Sequence, residues 1–268
     1  MIEFLGGRLT RQAVRHGVPP EAVGDLAGAL DPHALTLGFA RRFATYKRAD
    51  LILHDPRRLA ALLSNPDRPL QVIFAGKAHP ADKAGRTVLG RVVAASRQVG
   101  MAGRVFFIED YDLRVARFLV AGVDVWLNTP RRPLEASGTS GMKAAVNGVP
   151  SLSILDGWWA EAYDGSNGWA VGPRTDDAVS DPESVESSGS ADASDAADAE
   201  SLYRILEDEV IPAFYERGPD GVPGPWVERA RGALDIGLHR FSAERVLTEY
   251  VERLYRPVAG VGEVAAVG

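Results

Sequence analysis

Short, wholly apolar runs at 35–40, 71–75, 105–108, 123–127 and 150–155 alternate along the chain with stretches whose apolar positions recur at helical spacing, at 47–63, 81–99, 112–121 and 140–147. Strands without a polar face are covered on both sides, so the alternation predicts a parallel α/β sheet with helices on both faces. Ligands of such sheets bind beyond the carboxyl ends of the strands, which directs attention to the loops after Ala40, Ala75, Ile108 and Leu127. Ahead of this unit, which is read as 34–172, Phe4, Leu5, Leu9 and Val14 fall among arginines at helical spacing in a helical segment within 1–33 that ends at Gly17-Val18-Pro19-Pro20. Behind it, 173–198 is rich in Ser, Asp, Ala and Glu with almost nothing to bury, and reads as a disordered acidic linker. Helical periodicity returns within 199–258, at 199–211, 224–238 and 243–255.

Composition narrows the function more than the fold. With 268 residues, 46% of them hydrophobic, the chain can bury a full core in one or two domains. A formal net charge of -6 speaks against a nucleic-acid partner, although cations cluster locally around Arg41 and Lys47. The absence of cysteine excludes disulfides, thiolate zinc sites and cysteine nucleophiles. No run is long enough to span a bilayer and no basic segment leads an apolar one at the N-terminus, so a cytoplasmic protein is expected.

The candidate chemistry lies in the strand-end loops. Glu135-Ala136-Ser137-Gly138-Thr139-Ser140-Gly141-Met142-Lys143 joins a strand to a helix start, where unpaired N–H groups and the helix dipole favour an anion. Lys143 is unexpected there, because a cation near a helix N-terminus is disfavoured unless it faces a negative group or is neutralised covalently. Arg41-Arg42-Phe43-Ala44-Thr45-Tyr46-Lys47-Arg48 follows the first strand, and that many cations at a strand end suit two phosphates held close together. Gly76-Lys77-Ala78-His79 adds a lysine and a histidine that reads as structural, and no second histidine lies at metal spacing, so no metal is expected. Asp110 or Asp112 reads as a helix cap, Arg131 and Arg132 add charge at the same edge, and Trp158 and Trp159 are equally compatible with a core. No G-x-G-x-x-G follows a strand, and neither a phosphate-loop motif nor a serine-nucleophile elbow is present.

Four ordered motifs together resemble the C-terminal half of an alpha-glucan (glycogen, starch or maltodextrin) phosphorylase: Gly38-Phe39-Ala40-Arg41-Arg42-Phe43-Ala44-Thr45-Tyr46-Lys47-Arg48, Phe74-Ala75-Gly76-Lys77-Ala78, Phe107-Ile108-Glu109-Asp110-Tyr111, and Glu135 to Lys143 followed by Asn147-Gly148. Asn128-Thr129-Pro130-Arg131-Arg132-Pro133 before the glutamate is similar to the bacterial branch. The resemblance implies a Rossmann-like domain, the C-terminal one of a GT-B glycosyltransferase, followed by C-terminal helices. It implies pyridoxal 5′-phosphate carried by Lys143, with Thr139, Ser140, Arg41 and Lys47 at the cofactor phosphate and Tyr111 beside its ring. Arg42 is implied at the substrate phosphate, and Glu135, Ser137 and Gly138 at the glucosyl hydroxyls, so that Arg42, Lys47 and Glu135 stand at the reacting atoms. The implied reaction is glucan plus inorganic phosphate to glucose 1-phosphate. The family carries a further N-terminal domain, which is expected to be missing here, leaving a fragment that is inactive alone and pairs with a separate N-terminal half or with itself. A glycogen-synthase-like glycosyltransferase using a nucleotide sugar shares the basic loop but keeps an acidic residue where Lys143 stands; a non-catalytic remnant is the other alternative.

Overall fold

The computed structural model, which describes residues 1–19, 21, 23–24, 28–172 and 188–259, is built on one six-stranded sheet. Its strands are β1 (Leu35–Ala40), β2 (Leu70–Ala75), β3 (Val105–Ile108), β4 (Val125–Asn128), β5 (Ser151–Ile154) and β6 (Gly168–Val171). They lie in the order β3-β2-β1-β4-β5-β6 and every pairing is parallel. The order reverses between β1 and β4, which opens a crevice at their carboxyl ends where doubly wound sheets take ligands. Five strands stand where the apolar runs predict them, within two residues. The sixth, Gly-Trp-Ala-Val, is too short to show a period, and its glycine hides the reason it pairs: a Cβ on Gly168 would lie 2.4 Å from the Ser151 carbonyl oxygen.

The helices are α1 (Ile2–Arg15), α2 (Pro56–Leu63), α3 (Lys83–Ala95), α4 (Leu113–Gly122), α5 (Thr139–Ala145), α6 (Trp158–Ala162), α7 (Ser188–Ile205), α8 (Ile211–Tyr215), α9 (Gly224–His239), α10 (Ala243–Tyr250) and α11 (Arg256–Val258). None in the described residues is long and apolar enough to cross a membrane. Alternate strand positions feed two cores. Leu37, Phe39, Val72 and Phe74 pack with Leu59 of α2, Val92 of α3 and Leu202 of α7 on one face. Ile73, Phe106, Ile108 and Trp126 pack with Leu5 of α1 and Val115 and Leu119 of α4 on the other. Helix α1 is further held by the stacked Phe4 and Phe118 rings, 4.1 Å apart, and by Gln12, whose amide bonds the Phe107 carbonyl and the Glu109 N–H as a neighbouring strand would.

Two expectations are corrected. The helix expected over 47–63 begins only at Pro56, because Arg48 adopts a left-handed backbone (φ +45°) that no helix passes through, and Asp55 caps the N–H groups of Arg57 and Arg58. Of the linker expected to be disordered over 173–198, residues 173–187 lie outside the described residues, whereas from Ser188 the chain is helical in α7. Alanine supplies the propensity, and Asp195 and Asp198, three residues apart on one face, are neutralised by arginines of the sheet loops.

At the amino ends of the central strands β1 and β4, burial pushes the Asp124 carboxyl up to about 6, with its Oδ2 accepting the Thr36 N–H at 2.8 Å. In the unfolded chain that carboxyl loses its proton near ~3.9. Between these values the folded state binds more protons, so this group lowers stability as pH rises through pH 4 to 6, by at most ~3 kcal/mol. Asp124→Asn keeps the acceptor and removes the charge. It is expected to match the parent near pH 4 and to exceed it increasingly up to pH 7 in urea denaturation; a pH-independent difference would contradict the assignment.

Candidate active site

The crevice is shaped by three loops, which follow β1, β3 and β4. The β1 loop does not leave the sheet abruptly: the Arg41 N–H bonds the Ala75 carbonyl at 3.2 Å and the Phe43 N–H bonds that of Lys77 at 2.9 Å, so the pairing of β1 with β2 continues past both strands. A tight turn, Thr45–Lys47, then brings Lys47 back over the crevice. The β4 loop carries Glu135 and ends in α5. It is fastened to the β5–α6 turn by Asp156, whose carboxylate accepts the Glu135 N–H at 2.8 Å and the Gly157 N–H at 2.9 Å, and by the Trp158 N–H, which bonds the Ser137 carbonyl at 2.7 Å. Gly138 starts α5 in a left-handed conformation (φ +89°), and a Cβ on Gly141 would strike the Trp158 indole at 2.6 Å.

Between these loops lies a cavity of about 470 Å³, lined by Ala40, Arg41, Arg42, Lys47, Tyr111 and the residues from Glu135 to Ser140. This is a size common for small-ligand sites. Its floor is an ionic triad. Arg41 Nη2 at 2.7 Å and Lys47 Nζ at 2.5 Å both approach Glu135 Oε2, and all three side chains are more than nine-tenths buried. Arg41 also bonds the Asn128 side chain, which is held in turn by Ser153. Burial lowers the proton affinity of Arg41, opposed by the Glu135 carboxylate, but a guanidinium stays charged at neutral pH. Burial also raises the Tyr111 hydroxyl and the Asp156 carboxyl. Arg42 is exposed at the rim. Three cations against one carboxylate leave the cavity net positive, which suits an anion.

Nine residues singled out in the sequence, Arg41, Arg42, Lys47, Tyr111, Glu135, Ser137, Gly138, Thr139 and Ser140, converge on this cavity. Lys143 is not in its lining; it is exposed one helical turn beyond Thr139, on the same face of α5. Other candidates go elsewhere. Glu109 and Asp110 pair with Arg15 of α1, Asp112 caps α4 through the Val115 N–H, His79 accepts the Ala81 N–H in its own turn, and Trp158 and Trp159 are buried. Sequence reading gave no role to Asn128, the last residue of β4, or to Asp156 in the loop after β5, and it missed Arg48, Asp195 and Asp198 as a group. The residues present fit an aldehyde-bearing phosphate ester: a buried cation pair for its phosphate, an aromatic wall in Tyr111 for its ring, glycines that keep the floor clear, and an exposed amine nearby.

A family model described as carbohydrate phosphorylase matches residues 25–177. The chain is 43% identical over 258 residues to a glycogen phosphorylase of Aquifex aeolicus, which covers 96% of this chain and 35% of that protein. It is 48% identical over 226 residues to a maltodextrin phosphorylase of Thermococcus litoralis, covering 84% of this chain and 25% of that protein. To a glycogen phosphorylase of Mycobacterium tuberculosis it is 44% identical over 261 residues, or 97% of this chain and 29% of that protein. The chain thus spans between a quarter and about a third of the length of these relatives.

Proposed function

Because this chain belongs to the carbohydrate phosphorylase family, we propose that the crevice cavity is the phosphate and cofactor half of an alpha-1,4-glucan phosphorylase site, taking inorganic phosphate or glucose 1-phosphate beside pyridoxal 5′-phosphate. The observation that carries this reading is the pair of buried cations, Arg41 and Lys47, sharing one oxygen at the cavity floor with Arg42 at the rim. Two phosphates can lie side by side only inside fixed positive charge. Lys143 would hold the cofactor covalently, and Arg41, Lys47, Thr139 and Ser140 would hold its phosphate, which when bound supplies a proton donor and acceptor to its neighbour.

The chain's own groups do the rest. Arg42 offers a planar fork to the substrate phosphate and would hold it beside the sugar. The Glu135 carboxylate accepts a glucosyl hydroxyl, and Ser137 and Gly138 lie alongside to complete that pocket. Positive charge positioned in advance favours the phosphate leaving or attacking while the sugar passes through an oxocarbenium-like state. A chain covering a third or less of its relatives' length would supply one wall of such a site. Glucose 1-phosphate release from glycogen is therefore expected to be undetectable with this chain alone, and a coupled assay in excess phosphate measures it.

The direct test is borohydride reduction after incubation with pyridoxal 5′-phosphate, followed by peptide mass mapping. Modification is expected at Lys143 over Lys77 and Lys83, and inorganic phosphate should slow it. Equal modification of all exposed lysines would overturn the cofactor assignment.

A further inference from the structure

The middle of α7, at Asp195 and Asp198, reaches into the loops behind the cavity, whose lining includes neither residue. Arg48, 4% exposed, spends its guanidinium on four acceptors: the carbonyls of Thr129 (3.0 Å) and Pro130 (2.9 Å), and the carboxylates of Asp195 (2.7 Å) and Asp198 (2.8 Å). Arg131 grips both oxygens of Asp195 at 2.7 Å. The same segment holds the neighbouring backbone, since the Thr129 hydroxyl donates to the carbonyl of Arg48 at 2.9 Å and the Arg131 N–H donates to that of Tyr46 at 2.7 Å. Arg48 is left-handed, a conformation costly for a non-glycine residue unless its surroundings impose it. Lys47 immediately precedes it, so the direction in which Lys47 leaves the turn is set by what holds Arg48.

We propose that Asp195 and Asp198 are positioning residues: through Arg48 they fix the turn that aims the Lys47 ammonium at the cavity. A buried guanidinium with four hydrogen-bonded partners tolerates few other orientations, and two carboxylates neutralise the two arginines. Loss of the carboxylates leaves Arg48 buried with carbonyls alone, which favours its turning outward to water. The turn then relaxes and Lys47 parts from Glu135. Lysine at position 48 keeps the charge but lacks the guanidinium fork that reaches all four acceptors. Only the effect on phosphate rests on the function proposed above.

The test reads Lys47 directly. The chain has four lysines, of which Lys77, Lys83 and Lys143 are exposed and Lys47 is buried, so timed acylation with peptide mass mapping reports the burial of Lys47 against three internal references. In Asp195→Asn/Asp198→Asn, and in Arg48→Lys, Lys47 is expected to label at least tenfold faster while the other three are unchanged. Arg58→Ala is the control: it removes the ion pairs to Glu200 of α7 and to Glu207 just after it, remote from these loops, and should leave Lys47 protected. Lys47 protected as in the parent in a double variant with native circular dichroism, or equally unmasked by Arg58→Ala, would overturn the proposal. Should the double variant fail to fold, Arg48→Lys carries the same two outcomes. Affinity for inorganic phosphate, by calorimetry, is expected to fall about tenfold in the unmasked variants. A parent chain that binds no phosphate while the variants still unmask Lys47 would refute the proposed function and leave the positioning role standing.

Discussion

Gly76→Ala is expected to cost about 4 kcal/mol or more and to lower Tm by roughly 10–15 °C. Gly76 has φ +148°, and a Cβ there would stand 1.9 Å from the Arg41 carbonyl oxygen and 3.0 Å from the Phe43 ring. The first of these atoms is backbone, which has no rotamer to retreat to. Relief requires the extension of β1 to part from that of β2, breaking the bonds from Arg41 N–H to Ala75 and from Phe43 N–H to Lys77. Those bonds also carry Arg41 to the cavity floor, so the variant should lose anion binding along with stability. Gly90→Ala is the matched control. A Cβ at Gly90, inside α3, meets nothing within 4 Å, and alanine there should gain about 0.5–1 kcal/mol from helix propensity alone. Thermal and urea unfolding of the two variants measure both effects, and a Gly76→Ala protein within 1 kcal/mol of the parent would refute the account.

The contrast between the two glycines shows what a sequence can and cannot display. Each stands between an apolar residue and a cation, Gly76 after a strand and Gly90 within a helical pattern; what a Cβ would meet at Gly76 follows only from the register of β1 against β2. Features carried by local pattern were legible: five strands from apolar runs, the cap Asp112 at a helix start, and the two loops whose charge and glycine content announce a ligand. Features made by distant partners were not. Arg48 read as one more cation of a basic loop, and Asp195 and Asp198 as residues of an acidic linker with nothing to bury. Each composition argued for solvent, and only their meeting across some 150 residues of chain makes the charges burial-compatible. The same holds inside the site. Arg41, Lys47 and Glu135 each read as ligand-holding groups, but no spacing rule says that two of them would close on the third.

That closure leads to the second large effect. Glu135→Gln is expected to lower stability by about 3 kcal/mol in buffer free of multivalent anions, because it strips the counter-charge from two cations that are each more than nine-tenths buried. An anion that enters the cavity can replace that charge. A ligand that binds only the folded state adds about 2.7 kcal/mol at one hundred times its Kd, so most of the loss should return in phosphate. The parent should respond far less, since phosphate must first displace a carboxylate held at 2.5 and 2.7 Å. Calorimetry should accordingly find tighter phosphate binding in the variant than in the parent, and sulfate should act as phosphate does while chloride does not. A variant whose Tm ignores phosphate would sink both this argument and the assignment of the cavity to an anion. If the response is found, it gives Glu135 two successive duties under the proposed function: the carboxylate occupies Arg41 and Lys47 until a phosphate group takes them, and only the carboxylate released by that exchange is free to accept a sugar hydroxyl. A phosphate group on Arg41 and Lys47 and a sugar would then favour each other's binding through a single side chain.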